Sequence, residues 1–239
     1  MKEAWREASG RFVISEALGK EYCRRYGERD FEVVTDGLTS LAQPRPVPDN
    51  GRLRIYFMGL FHMAYERNLR AFVDGIDAFR RAQPGTSISV TFRCEHVRPQ
   101  VVAGAEDVTI LPFADEAQVQ RDMQEADLLY MPIPFGEEHE SFARYSLSTK
   151  MVTYVGSGVP IVYHGPTSAA AFDLLEKHRA AFAITTLTPE GIATHLAGIT
   201  TSARREVAAN ALRLAEQEFM LADQTRRFWG TISDRLTSP

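Results

Sequence analysis

Between Leu53 and Leu187, short apolar and β-branched runs alternate with segments of helical period, and this alternation constrains the fold more than any other feature of the chain. LRIYFMGL (53–60) reads as a buried strand. In the RNLRAFVDGIDAFRRAQPG that follows, Leu69, Phe72, Val73, Ile76 and Phe79 recur at helical spacing and Pro-Gly supplies the stop. SISVTFRC and VTILPF give two more strands, EAQVQRDMQEA a helix, and DLLYMPIPF a fourth strand. A short helix carrying Lys150, the strand VPIVYHG, a helix from about Thr167 and the strand AAFAITTL complete the series. Six strands that are apolar on both faces belong to a parallel sheet covered by helices, so the fold class is α/β with a doubly wound parallel sheet. In the order 3-2-1-4-5-6 the strands from Leu53 and Asp127 adjoin where the chain reverses direction, and ligands bind in the crevice at that point. The loops leaving them, Gly59–Arg67 and Pro132–Lys150, are long for β-α connections, so Gly59, Arg67 and Lys150 are expected to converge.

Lys150 is an unusual choice where it stands. The start of a helix carries partial positive charge and unpaired N–H groups, so a lysine there is unfavourable unless it points to water or an anion lies beside it. Nearby, GEEHES (136–141) contains three glutamates and a histidine, but neighbouring charges in a loop have no fixed geometry, and a solvated loop is the simpler reading. His62 and His164, near the ends of the first and fifth strands, could line the crevice or be satisfied polar residues, and His62 is the better placed.

The rest of the chain bounds the function classes. With 239 residues, a formal net charge of −4 and pI near 5.9, nothing attracts nucleic acid or anionic lipid nonspecifically. Cys23 and Cys94 lie far apart without metal-ligand spacing and read as reduced, buried thiols. No apolar run is long enough for a signal peptide or a membrane span, so membrane association is not indicated and a cytoplasmic location is expected. Residues 1–43 read as a strand, a helix and a second strand from the end of another domain, 44–52 as a proline-rich linker, 53–219 as the main domain and 220–239 as a helix packing back, with a break near Ala222. A lone strand and helix cannot bury their apolar faces, and Trp5 and Trp229 are expected to cover apolar surface at a boundary.

The order of elements resembles the Rossmann-like donor half of the GT-B glycosyltransferases, specifically the retaining group 1 (family 4-like) enzymes that use nucleotide sugars. The matching stretches are VISEAL…RYG…FEVVTDGL, IYFMGLF…ERNLRAFVDGIDAFRRAQPG, VTILPFADEAQVQRDMQEADLLYMP, SLSTKMVTYVGSGVPIV and NALRLAEQEF, spanning Phe12 to Phe219. The resemblance implies that Arg67 and Lys150 reach the donor diphosphate as catalytic cations, that Gly59 and His62 lie on the first loop, that Ser146, Leu147, Ser148 and Thr149 offer amides near the phosphates, and that Phe113 follows the strand framing the base. It further implies a metal-independent reaction with no cofactor, and a nucleotide-sugar donor with an unidentified acceptor. The family's paired glutamates, with seven residues between them, fall in register on Tyr145 and Thr153. Thr153 therefore stands where a carboxylate would meet the ribose, which keeps a non-catalytic nucleotide-sugar-binding accessory or sensor subunit open beside the enzyme. A receiver-type domain would need acidic residues after the first strand, where GLFHM has none. With so little acceptor-side structure, the chain is expected to bind donor rather than transfer sugar alone, and to pair with an acceptor-domain chain or form a homodimer.

Overall fold

The computed structural model of the chain describes residues 1–48, 51–60, 63–95 and 107–237. At the N-terminus, β1 (Phe12–Val13) and β2 (Glu32–Val33) pair in parallel as a small sheet of their own. Helices α1 (Lys2–Glu7) and α2 (Glu16–Tyr26) pack on it around the buried Trp5, Val13 and Cys23. Ser15 starts α2 as its N-cap, accepting from the Leu18 N–H, which supports the boundary read from sequence.

The main sheet comprises β3 (Arg52–Met58), β4 (Ser87–Arg93), β5 (Val108–Leu111), β6 (Leu128–Pro132), β7 (Ile161–His164) and β8 (Phe182–Ile184). All its pairings are parallel, in the order β5-β4-β3-β6-β7-β8. This is the doubly wound order expected from the alternation, with β3 and β6 adjoining at the reversal.

Side chains one residue apart on a strand face opposite layers. Ile55, Phe57, Leu128, Tyr130 and Val162 belong to one core, packed under α3 (Glu66–Ala82) and the later helix Pro189–Ala197. Tyr56, Leu129, Met131, Ile161 and Tyr163 belong to the other, which takes in residues of α4 (Glu116–Glu125), α6 (Thr149–Val155) and the long helix Thr201–Glu218. The remaining helices are α5 (Glu140–Tyr145), α7 (Ala170–Lys177) and α10 (Leu221–Thr237), so Pro189–Ala197 is α8 and Thr201–Glu218 is α9. At the start of β6 the buried Asp127 accepts from the Arg54 N–H (2.8 Å) and Nε (3.0 Å), fixing β6 against β3.

The first forty residues are stitched to the main domain rather than left with open apolar faces. The Leu38 N–H donates to the Phe219 carbonyl (2.7 Å) and the Leu221 N–H to the Leu38 carbonyl (2.9 Å), which places the break between α9 and α10 at Phe219–Met220 rather than near Ala222. Gly37 is required here by close approach: a Cβ would lie 2.6 Å from the Leu221 Cα. Phe12 packs at a tilt against Phe228 of α10, and the Ser15 hydroxyl donates to the Tyr145 carbonyl (2.6 Å). The missing neighbours of the first strand and helix are thus the second strand, α1 and α10. Trp5 is buried inside this unit and its Nε1–H donates to the Gly27 carbonyl, whereas Trp229 is 59% exposed. Both cysteines are buried free thiols. Among the described residues, no helix is long and apolar enough to cross a membrane.

Candidate functional site

The C-terminal edge of the main sheet opens into a cleft of about 1150 Å³ at the β3/β6 reversal. Its lining includes Gly59 and Leu60 after β3, Leu147–Lys150 and Thr153 from the start of α6, Tyr65, His139 and Phe142, with Asp36 and Gly37 facing them from the N-terminal segment. Thr149, Lys150 and Thr153 share a face because they are three and four residues apart on one helix.

Two contacts set the position of α6. Met151, Val152, Tyr154 and Val155 bury its inner face, and the Tyr154 phenol oxygen accepts from the Met58 N–H at the end of β3 (3.0 Å). Lys150 then crosses the top of the sheet, passing over Gly59. A Cβ on Gly59 would lie 2.9 Å from the Lys150 Cε and 3.2 Å from its Nζ, and Gly59 has φ +127, a conformation that side-chain-bearing residues rarely adopt. The φ alone calls for glycine, since the flexible end of the lysine could give way to a Cβ, and the lysine tip comes to rest 4.0 Å from the Phe57 ring centroid and 5.5 Å from that of Tyr65. No carboxylate or other acceptor among the described residues pairs with it.

The electrostatic result is an amine that, when protonated, is met by ring faces, with no counter-charge among the described residues. Burial pushes the Lys150 ammonium down from the ordinary lysine range to about 7, with a small opposing effect from nearby Cys94, whose own thiol burial pushes up to about 11. An anion entering the cleft would restore the charge that burial disfavours. Neutral amine and ammonium are thus close in free energy at neutral pH, and ligand charge decides between them.

No family model matches the sequence, and no curated protein matches it. Solved structures do match its fold. HepE of Anabaena, solved in complex with UDP and glucose, superposes with a TM-score of 0.69 at 17% identity, covering 96% of this chain and 64% of HepE. Its complex with UDP-glucose gives 0.70 at 18% identity, with 97% and 65% covered. A point mutant of S. aureus TarM, solved with Fondaparinux, alpha-GlcNAc-glycerol and UDP, gives 0.68 at 10% identity, covering 96% of this chain and 45% of TarM. The fold is that of the GT-B glycosyltransferases. The chain spans less than two thirds of the length of each of these proteins.

Within the GT-B fold the expected site residues divide into two groups. Gly59, Leu147, Ser148, Thr149, Lys150 and Thr153 line the cleft together. Arg67 does not join them: it is exposed on α3, in phase with Arg70 and Asp74, while Asn68, Leu69 and Phe72 take the buried face. Phe113, 42% exposed beyond the outermost strand β5, is likewise not part of the lining, and neither is Ser146, whose N–H closes α5 onto the Phe142 carbonyl. His62 lies outside the described residues. His164 is a structural residue: it is fully buried, accepts at Nδ1 from the Tyr130 hydroxyl (2.8 Å) and donates from Nε2 to the Thr186 carbonyl (2.8 Å), and burial lowers its pKa to about 4.

Three further lining residues, Tyr65, His139 and Asp36, are not among the expected site residues. Tyr65 could have been found as an aromatic one residue before α3 and close to the glycine loop. His139 stands in the loop read as solvated, held in the 3₁₀ turn Glu137–His139 with its Nε2 3.8 Å from Glu138, and it lines the cleft. Nothing local marks Asp36, which reaches the cleft only through the Leu38 clamp. Among the described residues, no cluster of three or more His, Cys, Asp and Glu is placed to hold a metal.

Proposed function

We propose that the cleft binds the diphosphate of a nucleotide sugar and that the bound donor serves glycosyl transfer to an acceptor. The observation that carries this reading is the Lys150 ammonium, held beside Gly59 at the sheet's reversal point with no counter-charge among the described residues. Scission of the bond between the anomeric carbon and the phosphate oxygen leaves the electron pair on the departing diphosphate. A preorganised cation and main-chain donors at the start of α6 would stabilise that growing charge, and loss of one such donor typically costs about 10²–10³ in rate. In this reading side chain and backbone meet the phosphate charge, so donor binding needs no divalent metal and survives EDTA. Residues 53–219 are the donor-binding unit, 1–43 belong to the acceptor side with 44–52 as linker, and α10 packs back onto the N-terminal unit.

UDP is the first probe, because the HepE and TarM structures hold it. The test is thermal denaturation with UDP, GDP and ADP. A ligand at 100 times its Kd stabilises by about 2.7 kcal/mol, so one of the three should raise Tm clearly, and no rise with any of them would overturn the proposal. One observation favours the second reading, a non-catalytic binding subunit: the cleft presents Thr153, a single hydroxyl, at the position where the resemblance expects a ribose-binding carboxylate. Donor consumption with a panel of sugar nucleotides and acceptors separates the two, since a binding subunit consumes none.

A further inference from the structure

A second cavity, of about 580 Å³, opens at the opposite edge of the sheet, between the start of β3, the C-terminal ends of α3 and α8, and the start of α9. The seven residues of β3 separate it from Gly59 by about 20 Å, so it is distinct from the donor cleft. Its charged lining is Arg52, Arg204 and Arg205, and no carboxylate among the described residues lines it. Leu53, Phe79, Leu196 and Ile199 supply an apolar wall.

Arg204 is the feature that points to a ligand. It is 5% exposed, and among the described residues one of its guanidinium nitrogens is occupied: Nη2 donates to the Pro48 carbonyl (2.9 Å) and to the Thr201 hydroxyl (3.2 Å), while Nε and Nη1 are buried with no partner among those residues. Buried guanidinium donors are rarely left unmet in native proteins. The contact with Thr201 folds this head onto the first turn of α9, an 18-residue helix with no acidic residue in that turn. There the Thr200 hydroxyl caps the Ala203 N–H, leaving the Thr201 and Ser202 N–H groups outside the intrahelical pattern. Positive helix end, unmet buried guanidinium and arginine-lined cavity coincide in one place.

We infer that this cavity is a second anion site, taking a phosphate group between the first turn of α9 and the Arg204 and Arg205 guanidiniums. A free phosphate and a phosphate monoester share that chemistry, and the apolar wall gives room for an organic body.

The test is calorimetric titration at constant ionic strength with inorganic phosphate and, separately, glucose 6-phosphate. It is run in a Lys150→Met background, so that the donor cleft offers no ammonium. Saturable binding is expected, weakened at least tenfold by Arg205→Ser. Ser202→Glu should abolish it, because this substitution places a carboxylate at the helix start, where it suits the helix dipole and preserves folding while repelling the ligand. Tighter binding of glucose 6-phosphate identifies a phosphorylated metabolite as the occupant, and equal affinity identifies free phosphate; either supports the site. No binding of either anion, or binding that survives both Ser202→Glu and Arg205→Ser in folded protein, would overturn it.

Discussion

At the scale of single residues, the cleft is defined by what surrounds one amine. Folding lowers the Lys150 pKa to about 7 from an unfolded value of about 10.4, so between those two pH values the unfolded chain holds the extra proton. Stability therefore rises as pH goes from about 7 to about 10, and below pH 7, where both states are protonated, the full cost of burying the charge is present. Lys150→Met should remove this rise, which denaturant titrations across the pH range would measure. Ligand binding has the opposite sign. A diphosphate recruits the protonated form, so its affinity should fall by up to about tenfold per pH unit above 7, with proton uptake visible in buffers of different ionisation enthalpy. An affinity flat from pH 7 to 9 would mean that the amine does not meet the phosphate.

At the scale of elements, α6 places the lysine and Tyr154 places α6. Tyr154→Phe leaves the Met58 N–H without its acceptor, which should cost about 1–2 kcal/mol of stability and weaken UDP binding while leaving the β3–β6 pairing intact. Unchanged UDP affinity would show that α6 needs no such anchor. The sheet order and helix positions were legible in the sequence because each parallel strand is apolar on both faces, a pattern that depends little on distant contacts. Lys150 was legible for a local reason too, a cation in the first turn of a helix. Arg67 was not, because α3 starts at Glu66 and its phase turns residue 67 outward with Arg70 and Asp74, and a phase cannot be read before the first helical residue is known. The two-residue strands β1 and β2 were visible as apolar runs, but their pairing and their cover by α10, more than 180 residues away in sequence, are tertiary facts.

At the scale of the whole molecule, the N-terminal unit and the main domain are joined where Leu38 bridges the α9/α10 break, which also brings Asp36 to the cleft. Gly37 permits this approach. Gly37→Ala forces a Cβ against the Leu221 backbone, which should destabilise by about 1–3 kcal/mol and raise hydrogen exchange at the Leu38 and Leu221 amides before it affects the central sheet. Exchange that rises uniformly would indicate one cooperative unit rather than two parts and a clamp. The same joint makes the cleft a product of both parts: β3 and α6 supply the cation and its glycine, and the segment before the linker supplies the opposite wall.

The most direct measurement is calorimetric titration of UDP and of uridine into the wild-type chain and into Lys150→Met. The diphosphate assignment predicts that the substitution weakens UDP by about 10- to 150-fold, equivalent to the roughly 1.5–3 kcal/mol of a charge-assisted hydrogen bond, and leaves uridine unchanged. Equal losses for both ligands, or no loss for UDP, would contradict it.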